Sequence, residues 1–249
     1  MRDWRDRVLR FHDFDVITFD CYGTLIDWES GILSALKAIL SAHGKSLDNV
    51  ELLELYGEFE AQAEAGPYHR YREVLQKVVE DYGKHLGFTP TREESNALAN
   101  SISGWSPWPD TVTALKQLRA RYRLVIISNI DDDLFAATEV KLGVAFEQVI
   151  TAQQARCYKP GLEIFRRALE RIGAAPERIL HVGQSIYHDV LPAKSLGMGA
   201  VWVNRPSPRA NVGAVKPADG KPALTVPDLA TLARIALAAD WNSIGEPRR

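Results

Sequence analysis

The chain has 249 residues, 46% hydrophobic and 25% charged, with 30 basic against 32 acidic side chains and a net charge of −2. These values match soluble globular proteins and exclude a disordered chain, a collagen-like repeat and a disulfide-stapled miniprotein. So even a balance leaves no electrostatic footprint for nucleic acid or an anionic membrane, and neither is expected as a partner. The two cysteines, Cys21 and Cys157, fit a reducing compartment. The N-terminal MRDWRDRVLRFHDFD lacks the apolar run of a signal peptide. No stretch approaches the roughly 20 apolar residues of a membrane span. A cytoplasmic location is the expectation.

In chain order, the first apolar run, FDVITF (14–19), reads as a buried strand. About a hundred residues then follow before the next strand, with helical periodicity near 29–43, 49–64, 68–86, 91–103 and 110–121. One crossover helix cannot use so much chain, so most of it reads as a helical insertion over 30–105, with WSPWPD (105–110) marking the return. Strands are expected at RLVIIS (123–128), FEQVI (146–150), RILHV (178–182) and GAVWV (199–203). Between them lie helical segments at about 131–142, 161–173 and 187–196, each ending near a glycine (Gly143, Gly173, Gly197). The Pro-, Gly- and Asn-rich stretch 206–222 reads as a long surface loop. Strand-helix alternation implies an α/β fold, a doubly wound parallel sheet of Rossmann-like type with right-handed crossovers. The expected division is a core of 1–29 and 106–249 with an all-helical cap of 30–105.

Ligands of open α/β sheets bind beyond the carboxyl ends of the strands. The first strand is followed by Asp20-Cys21-Tyr22-Gly23-Thr24, and the second by Ser128-Asn129 and Asp131 to Asp133. Lys159 follows the third in YKPG. Gly183-Gln184-Ser185 follows the fourth, with Asp189 a turn beyond. Four polar clusters at four strand ends are expected to converge on one site.

These clusters resemble the haloacid dehalogenase superfamily over the whole sheet. The family pattern is an aspartate nucleophile ending the first strand, Ser or Thr after the second, a Lys before the next helix and acids after the fourth. The matching residues are Asp20, Ser128, Lys159 and Asp189. The family's phosphatases begin DxD, the second Asp acting as general acid, and carry GDSxxxD, whose carboxylates help bind Mg²⁺. This chain has Tyr22, a phenol with pKa of roughly 10, and the neutral amide Gln184 at those positions. Both changes point away from metal-assisted phosphoryl transfer, and no metal or cofactor is expected.

The opening DCYGTL instead resembles the metal-free 2-haloacid dehalogenase branch, in which the carboxylate attacks the carbon bearing the leaving group and water hydrolyses the ester. The resemblance implies that Asp20 is the nucleophile and that Lys159 holds it ionised. It also implies that Thr24, Ser128 and Asn129 bind the substrate carboxylate, and that Asp189 orients Lys159 or water. Cys21, Tyr22 and Ser185 complete the expected site. DCYGTLIDWESGI, Ile127 to Asp131 and Ser185 to Asp189 are also similar to azetidine-2-carboxylate hydrolases, which displace a ring nitrogen. Haloacid dehalogenases cradle the halide with a cap arginine. Tyr56-Gly57 stands at that place here, and Arg72 or Arg70 of PYHRYR is the candidate substitute, against a solvated helix face for at least one.

The expected function is thus metal-independent displacement of a leaving group from C2 of a small carboxylic acid, 2-haloacid dehalogenase-like. The alternatives are azetidine-2-carboxylate-type C–N hydrolysis, a Mg²⁺-dependent phosphatase and a catalytically silent relative. The full set Asp20, Ser128, Lys159 and Asp189 favours an enzyme. A small carboxylic acid is the expected partner, and a homodimer stays open. Trp28, Trp105 and Trp108 lie near the cap–core junctions, where hinge packing competes with a lining role for Trp28. Cys21 reads as a small hydrophobe beneath the loop. The six histidines (12, 43, 69, 85, 181, 188) form no zinc motif; His188, beside Asp189, reads equally as a tuning group or an exposed one. Asp131 to Asp133 read as caps of the helix they begin. Neither GxGxxG nor GxxxxGK[ST] is present.

Overall fold

The structure is a computed structural model and describes residues 9–238. Six strands form one parallel sheet: β1 (Val16–Phe19), β2 (Arg123–Ser128), β3 (Gln148–Thr151), β4 (Ile179–Gly183), β5 (Gly199–Val203) and β6 (Leu224–Val226). Their order is β3-β2-β1-β4-β5-β6, which puts the topological switch beside β1. Phe19 pairs with Ile126 on one side and Val182 on the other, so Asp20 leaves the sheet at its centre. β1 and β4 are buried along their whole length, which is why they read as unbroken apolar runs rather than alternation.

Four helices fill most of the chain between β1 and β2: α1 (Trp28–Ala42), α2 (Asn49–Glu64), α3 (Tyr71–Leu86) and α4 (Arg92–Ser101). Ile32, Leu36, Ile39 and Leu40 make the buried stripe of α1, and Asp27 caps it by accepting from Ser30 N–H at 3.2 Å. Thr91 and Glu94 close a capping box on α4. The chain enters and leaves this helical cap side by side. Asp27 N–H donates to Ser106 O at 2.9 Å, Trp108 N–H to Leu25 O at 3.0 Å, and Ile26 bridges Pro107.

The remaining helices flank the sheet: α5 (Thr111–Arg119), α6 (Asp132–Leu142), the single turn α7 (Ala152–Ala155), α8 (Leu162–Ile172), α9 (Leu191–Ser195) and α10 (Leu229–Ala238). The α/β fold, the parallel doubly wound sheet and the inserted all-helical cap are those the sequence implies.

Four details differ. β6 and α10 were not expected; β6 is a three-residue edge strand, too short to carry a periodic signal. The helix expected over 187–196 opens as a π-helical turn, Ile186–Val190, and continues as α9 with Pro192 at its start. The stretch 206–222 is no simple surface loop, because Gly213, Ala214 and Val215 are buried beneath the cap. Arg209 ties the loop down, donating to Gly213 O at 2.9 Å and to Leu53 O of α2 at 3.4 Å. Finally, Asp131 does not cap its own helix. Its carboxylate crosses to the cap and accepts the Tyr71 N–H at 3.1 Å and the Arg72 N–H at 3.0 Å, closing the N-terminus of α3.

Among the described residues, no helix is long and apolar enough to cross a membrane.

Candidate active site

Asp20 ends β1 and is held in place by its own backbone, whose N–H donates to Val182 O at 2.9 Å. One carboxylate oxygen, Oδ1, takes Lys159 Nζ at 2.8 Å; the other, Oδ2, takes the Thr24 hydroxyl at 2.7 Å. Thr24 Oγ1 also accepts the Gln184 N–H at 2.9 Å, which links the loop after β1 to the end of β4. Burial pushes the Asp20 carboxyl up, and the neighbouring Asp189 adds to this, while Lys159 and Thr24 pull it back.

Lys159 is almost wholly enclosed, 2% exposed, so its charge must be compensated within the site. Its ammonium donates to Asp20 Oδ1, to Asp189 Oδ1 at 2.7 Å and to Ile127 O at 3.1 Å, which uses all three protons. Burial alone would lower its pKa, but the two carboxylates win and raise it. Asn129 fixes the lysine backbone on both sides, accepting Lys159 N–H at 2.7 Å and donating to Lys159 O at 3.1 Å.

Asp189 is the anchor. Burial would raise its pKa, yet Lys159 and His181 hold it well below the usual carboxylate range. His181 Nε2 lies 3.2 Å from Asp189 Oδ1, and His181 Nδ1 lies 2.8 Å from Thr18 Oγ1; Ser185 N–H donates to Asp189 Oδ2 at 3.2 Å. A polar chain therefore runs Thr18, His181, Asp189, Lys159, Asp20, Thr24 through the centre of the sheet. The π-helical turn brings Asp189 over Gly183, where a Cβ would meet the Asp189 carboxyl at 2.4 Å.

Asp20, Lys159 and Asp189 line a small cavity of about 40 Å³ together with Tyr22, Trp28, Glu60, Tyr71, Ser128, Asn129, Gln184, Ser185, His188 and Val215. Ser128 Oγ and Trp28 Nε1 are buried without a hydrogen-bond partner among the described residues, and their side chains border this space, which leaves two hydrogen-bond donors for a ligand. Trp28 thus takes the lining position and packs edge-on against Tyr56. Burial pushes the Tyr22 phenol up, and its hydroxyl lies 2.8 Å from Thr138 Oγ1 of α6, so it stays neutral and is engaged away from the acid role. Burial holds His188 down to about 4, leaving it uncharged.

A divalent cation of the phosphatase type would need carboxylate oxygens around Asp20. The facing groups are the Gln184 amide, a neutral tyrosine and an Asp189 already committed to Lys159, His181 and Ser185. This donor set does not fit a hard cation beside the Lys159 ammonium.

Of the expected residues, Asp20, Thr24, Ser128, Asn129, Lys159, Ser185 and Asp189 come together. Asn129, expected on a substrate carboxylate, spends its amide on the Lys159 backbone. Cys21 is fully buried, its thiol pushed up by burial, and does not line the cavity. Arg72 is directed elsewhere: its guanidinium donates to Asn100 Oδ1 and Asp133 Oδ2, each at 3.0 Å, and Arg70 likewise holds Asp133 at 3.0 Å. Sequence reasoning missed Glu60, Tyr71, His181 and Val215. The available signal for Glu60 was its place four residues after Tyr56 on the buried face of α2, where a carboxylate is out of character.

The comparisons agree with this architecture. The profile of the haloacid dehalogenase-like hydrolases matches residues 14–197, and the chain belongs to that family; it is a hydrolase. It is 27% identical over 217 residues to an (S)-2-haloacid dehalogenase of Pseudomonas fluorescens, covering 86% of this chain and 92% of that one. It is 31% identical over 200 residues to a glyceraldehyde 3-phosphate phosphatase of Methanothermobacter thermautotrophicus, covering 76% and 84%. The L-2-haloacid dehalogenase of Xanthobacter autotrophicus, solved with chloropropionic acid covalently bound, superposes with a TM-score of 0.76 at 21% identity over 90% of this chain and 98% of that one.

Proposed function

We propose that this hydrolase displaces a leaving group from C2 of a small carboxylic acid, without a metal, through an ester on Asp20. The observation that carries the reading is the Asp20 carboxylate at 2.8 Å from a buried lysine, beside a cavity with unpartnered donors. Lys159 keeps Asp20 ionised where burial alone would neutralise it. Ser128 Oγ and Trp28 Nε1 receive the substrate carboxylate. An Asp20 oxygen attacks C2, and the bond to the leaving group breaks with its electron pair. Water then attacks the Asp20 carbonyl carbon, and the C2 hydroxy acid is released with the carboxylate restored.

The dehalogenase relatives support displacement at carbon, with 2-haloacids as the substrates they bring to this chain. The phosphatase relative supports a second reading, phosphate ester hydrolysis, which the Gln184 amide and the engaged Tyr22 hydroxyl disfavour. The cap is read as residues 30–105, hinged near 28–30 and 105–109 beside the paired crossings, and closing it excludes water from the ester.

A single turnover in ¹⁸O-water with 2-chloropropionate or azetidine-2-carboxylate should leave label in Asp20 rather than in product, and Asp20→Asn should abolish turnover. Label entering product directly on the first turnover would make Asp20 a general base and end the covalent reading.

A further inference from the structure

Glu60 lies on the cap side of the cavity and has no part in the scheme above. It is 5% exposed and belongs to the buried face of α2. Its Oε1 accepts two phenolic hydrogen bonds, from Tyr71 at 2.6 Å and Tyr56 at 2.9 Å, and the two hydroxyls lie 3.1 Å apart. Its Oε2 has no hydrogen-bond partner among the described residues, while the side chain lines the cavity that Asp20 enters from the sheet. A buried carboxyl with one oxygen clamped and one free is arranged to meet a donor carried by a ligand.

Displacement at carbon sends the leaving group away from the nucleophile, from the sheet toward the cap. A departing halide would need donors or a cation there. Both tyrosine protons are spent on Glu60, and Arg70 and Arg72 are bound to Asp133. Among the described residues that line the cavity Lys159 is the one cation, and it is divided between Asp20 and Asp189. With Glu60 ionised, the wall would repel a halide. A substrate carrying both a carboxylate and an ammonium enters with no net charge, and its N–H groups match the free Oε2.

We propose that Glu60, positioned by Tyr56 and Tyr71, is a catalytic carboxylate that holds the leaving group as a protonated ring nitrogen, making the substrate a small cyclic amino acid opened at C2. This rests on the reading of Asp20 as the nucleophile. In the attack, Asp20 forms the C–O bond and the C–N bond breaks with its electron pair on nitrogen. The nitrogen leaves as a neutral amine because Glu60 kept it protonated beforehand. Ester hydrolysis consumes one water, restores the Asp20 carboxylate and releases one proton, which the freed amine takes up. The product carries a hydroxyl at C2 and an ammonium.

Burial pushes the Glu60 carboxyl up to about 7, against the pull of the Tyr71 and Tyr56 hydrogen bonds and with a further push from Asp20. The groups facing it are Tyr56 and Glu64 on α2, Tyr71 on α3, and Asp20, Lys159, Asp189 and the neutral His188 from the core. Glu60 must be ionised to pair with an ammonium, so activity on such a substrate rises with pH through about 7.

The test uses azetidine-2-carboxylate and 2-chloropropionate as probes, with ¹⁸O labelling of Asp20 in each. The wild-type protein should favour azetidine-2-carboxylate in kcat/KM. Glu60→Gln should lose roughly 100-fold on it, the scale of removing one charge-placing group from a site, and should lose the rising limb near pH 7. Tyr71→Phe removes a hydrogen bond that lowers the Glu60 pKa and should move that limb to higher pH, which a merely structural role would not do. Label in Asp20 from 2-chloropropionate, with the ring amine ignored or the Glu60→Gln profile unchanged, would overturn this inference and leave the covalent reading standing. No label in Asp20 with either probe would overturn both.

Discussion

Lys159 Nζ lies 2.7 Å from Asp189 Oδ1, as near as it lies to Asp20 Oδ1 at 2.8 Å, so one buried ammonium is divided between two carboxylates. Asp189 is the more firmly ionised of the two, held low by Lys159 and His181 against burial, while burial raises Asp20. The pair is thus polarised: one acid secures the cation, and the other stays available for chemistry.

Removing that cation separates stability from activity. In the wild type the depressed Asp189 contributes stability above the unfolded carboxylate pKa and loses it as pH falls. In Lys159→Met both buried carboxyls rise above their unfolded values, so the contribution reverses and stability falls as pH rises. The deficit against wild type should grow between pH 5 and pH 8, reaching about 3–5 kcal/mol, the scale of a broken buried pair. Denaturant melts at both pH values, alongside turnover, provide the measurement. A deficit independent of pH would mean that the carboxylates are compensated by other groups.

Gly183→Ala tests the seat of Asp189. The added methyl carbon would fall 2.4 Å from the Asp189 carboxyl and force it off Lys159. Turnover should fall at least about tenfold, as displacement of a positioned group does. A crystal structure of the variant should show the Lys159–Asp189 contact lengthened. Unchanged kinetics would show that the turn relaxes without cost.

Asp131→Ala addresses the tie between cap and core. Asp131 supplies the N-terminal acceptor for α3, and Arg70 and Arg72 reinforce it through Asp133. Loss of the cap should cost about 1 kcal/mol. The Tyr71 and Arg72 amides should exchange faster with deuterium than those at the centre of α3. Equal protection in variant and wild type would mean that the helix end is secured without it.

Chelation should leave turnover intact, because the cavity beside Asp20 is lined by the Gln184 amide and a neutral, engaged Tyr22 where a hard cation would need carboxylate oxygens. Activity lost in EDTA and restored by Mg²⁺ would revive the phosphate ester reading.

The parallel sheet, its crossover helices and the helical insertion were legible in the chain itself, because buried strands and amphipathic helices write their periods locally. Asp20, Ser128, Lys159 and Asp189 were legible too, since topology alone delivers strand ends to one crevice. Tertiary structure decided what those residues touch. Asn129 clasps the Lys159 backbone, Asp131 caps a helix of the insertion instead of its own, and Arg72 is drawn to Asp133; each of these contacts joins residues at least 30 positions apart. The cap wall of the cavity was hidden for the same reason. Glu60 and Tyr71 become one unit only when α2 packs on α3, and Val215 reaches the site on a loop that Arg209 fastens to α2 and Glu29 holds to α1. Periodicity records which face of an element is buried, whereas the partner on that face is set by packing between distant segments, and that packing decides what a buried acid can meet.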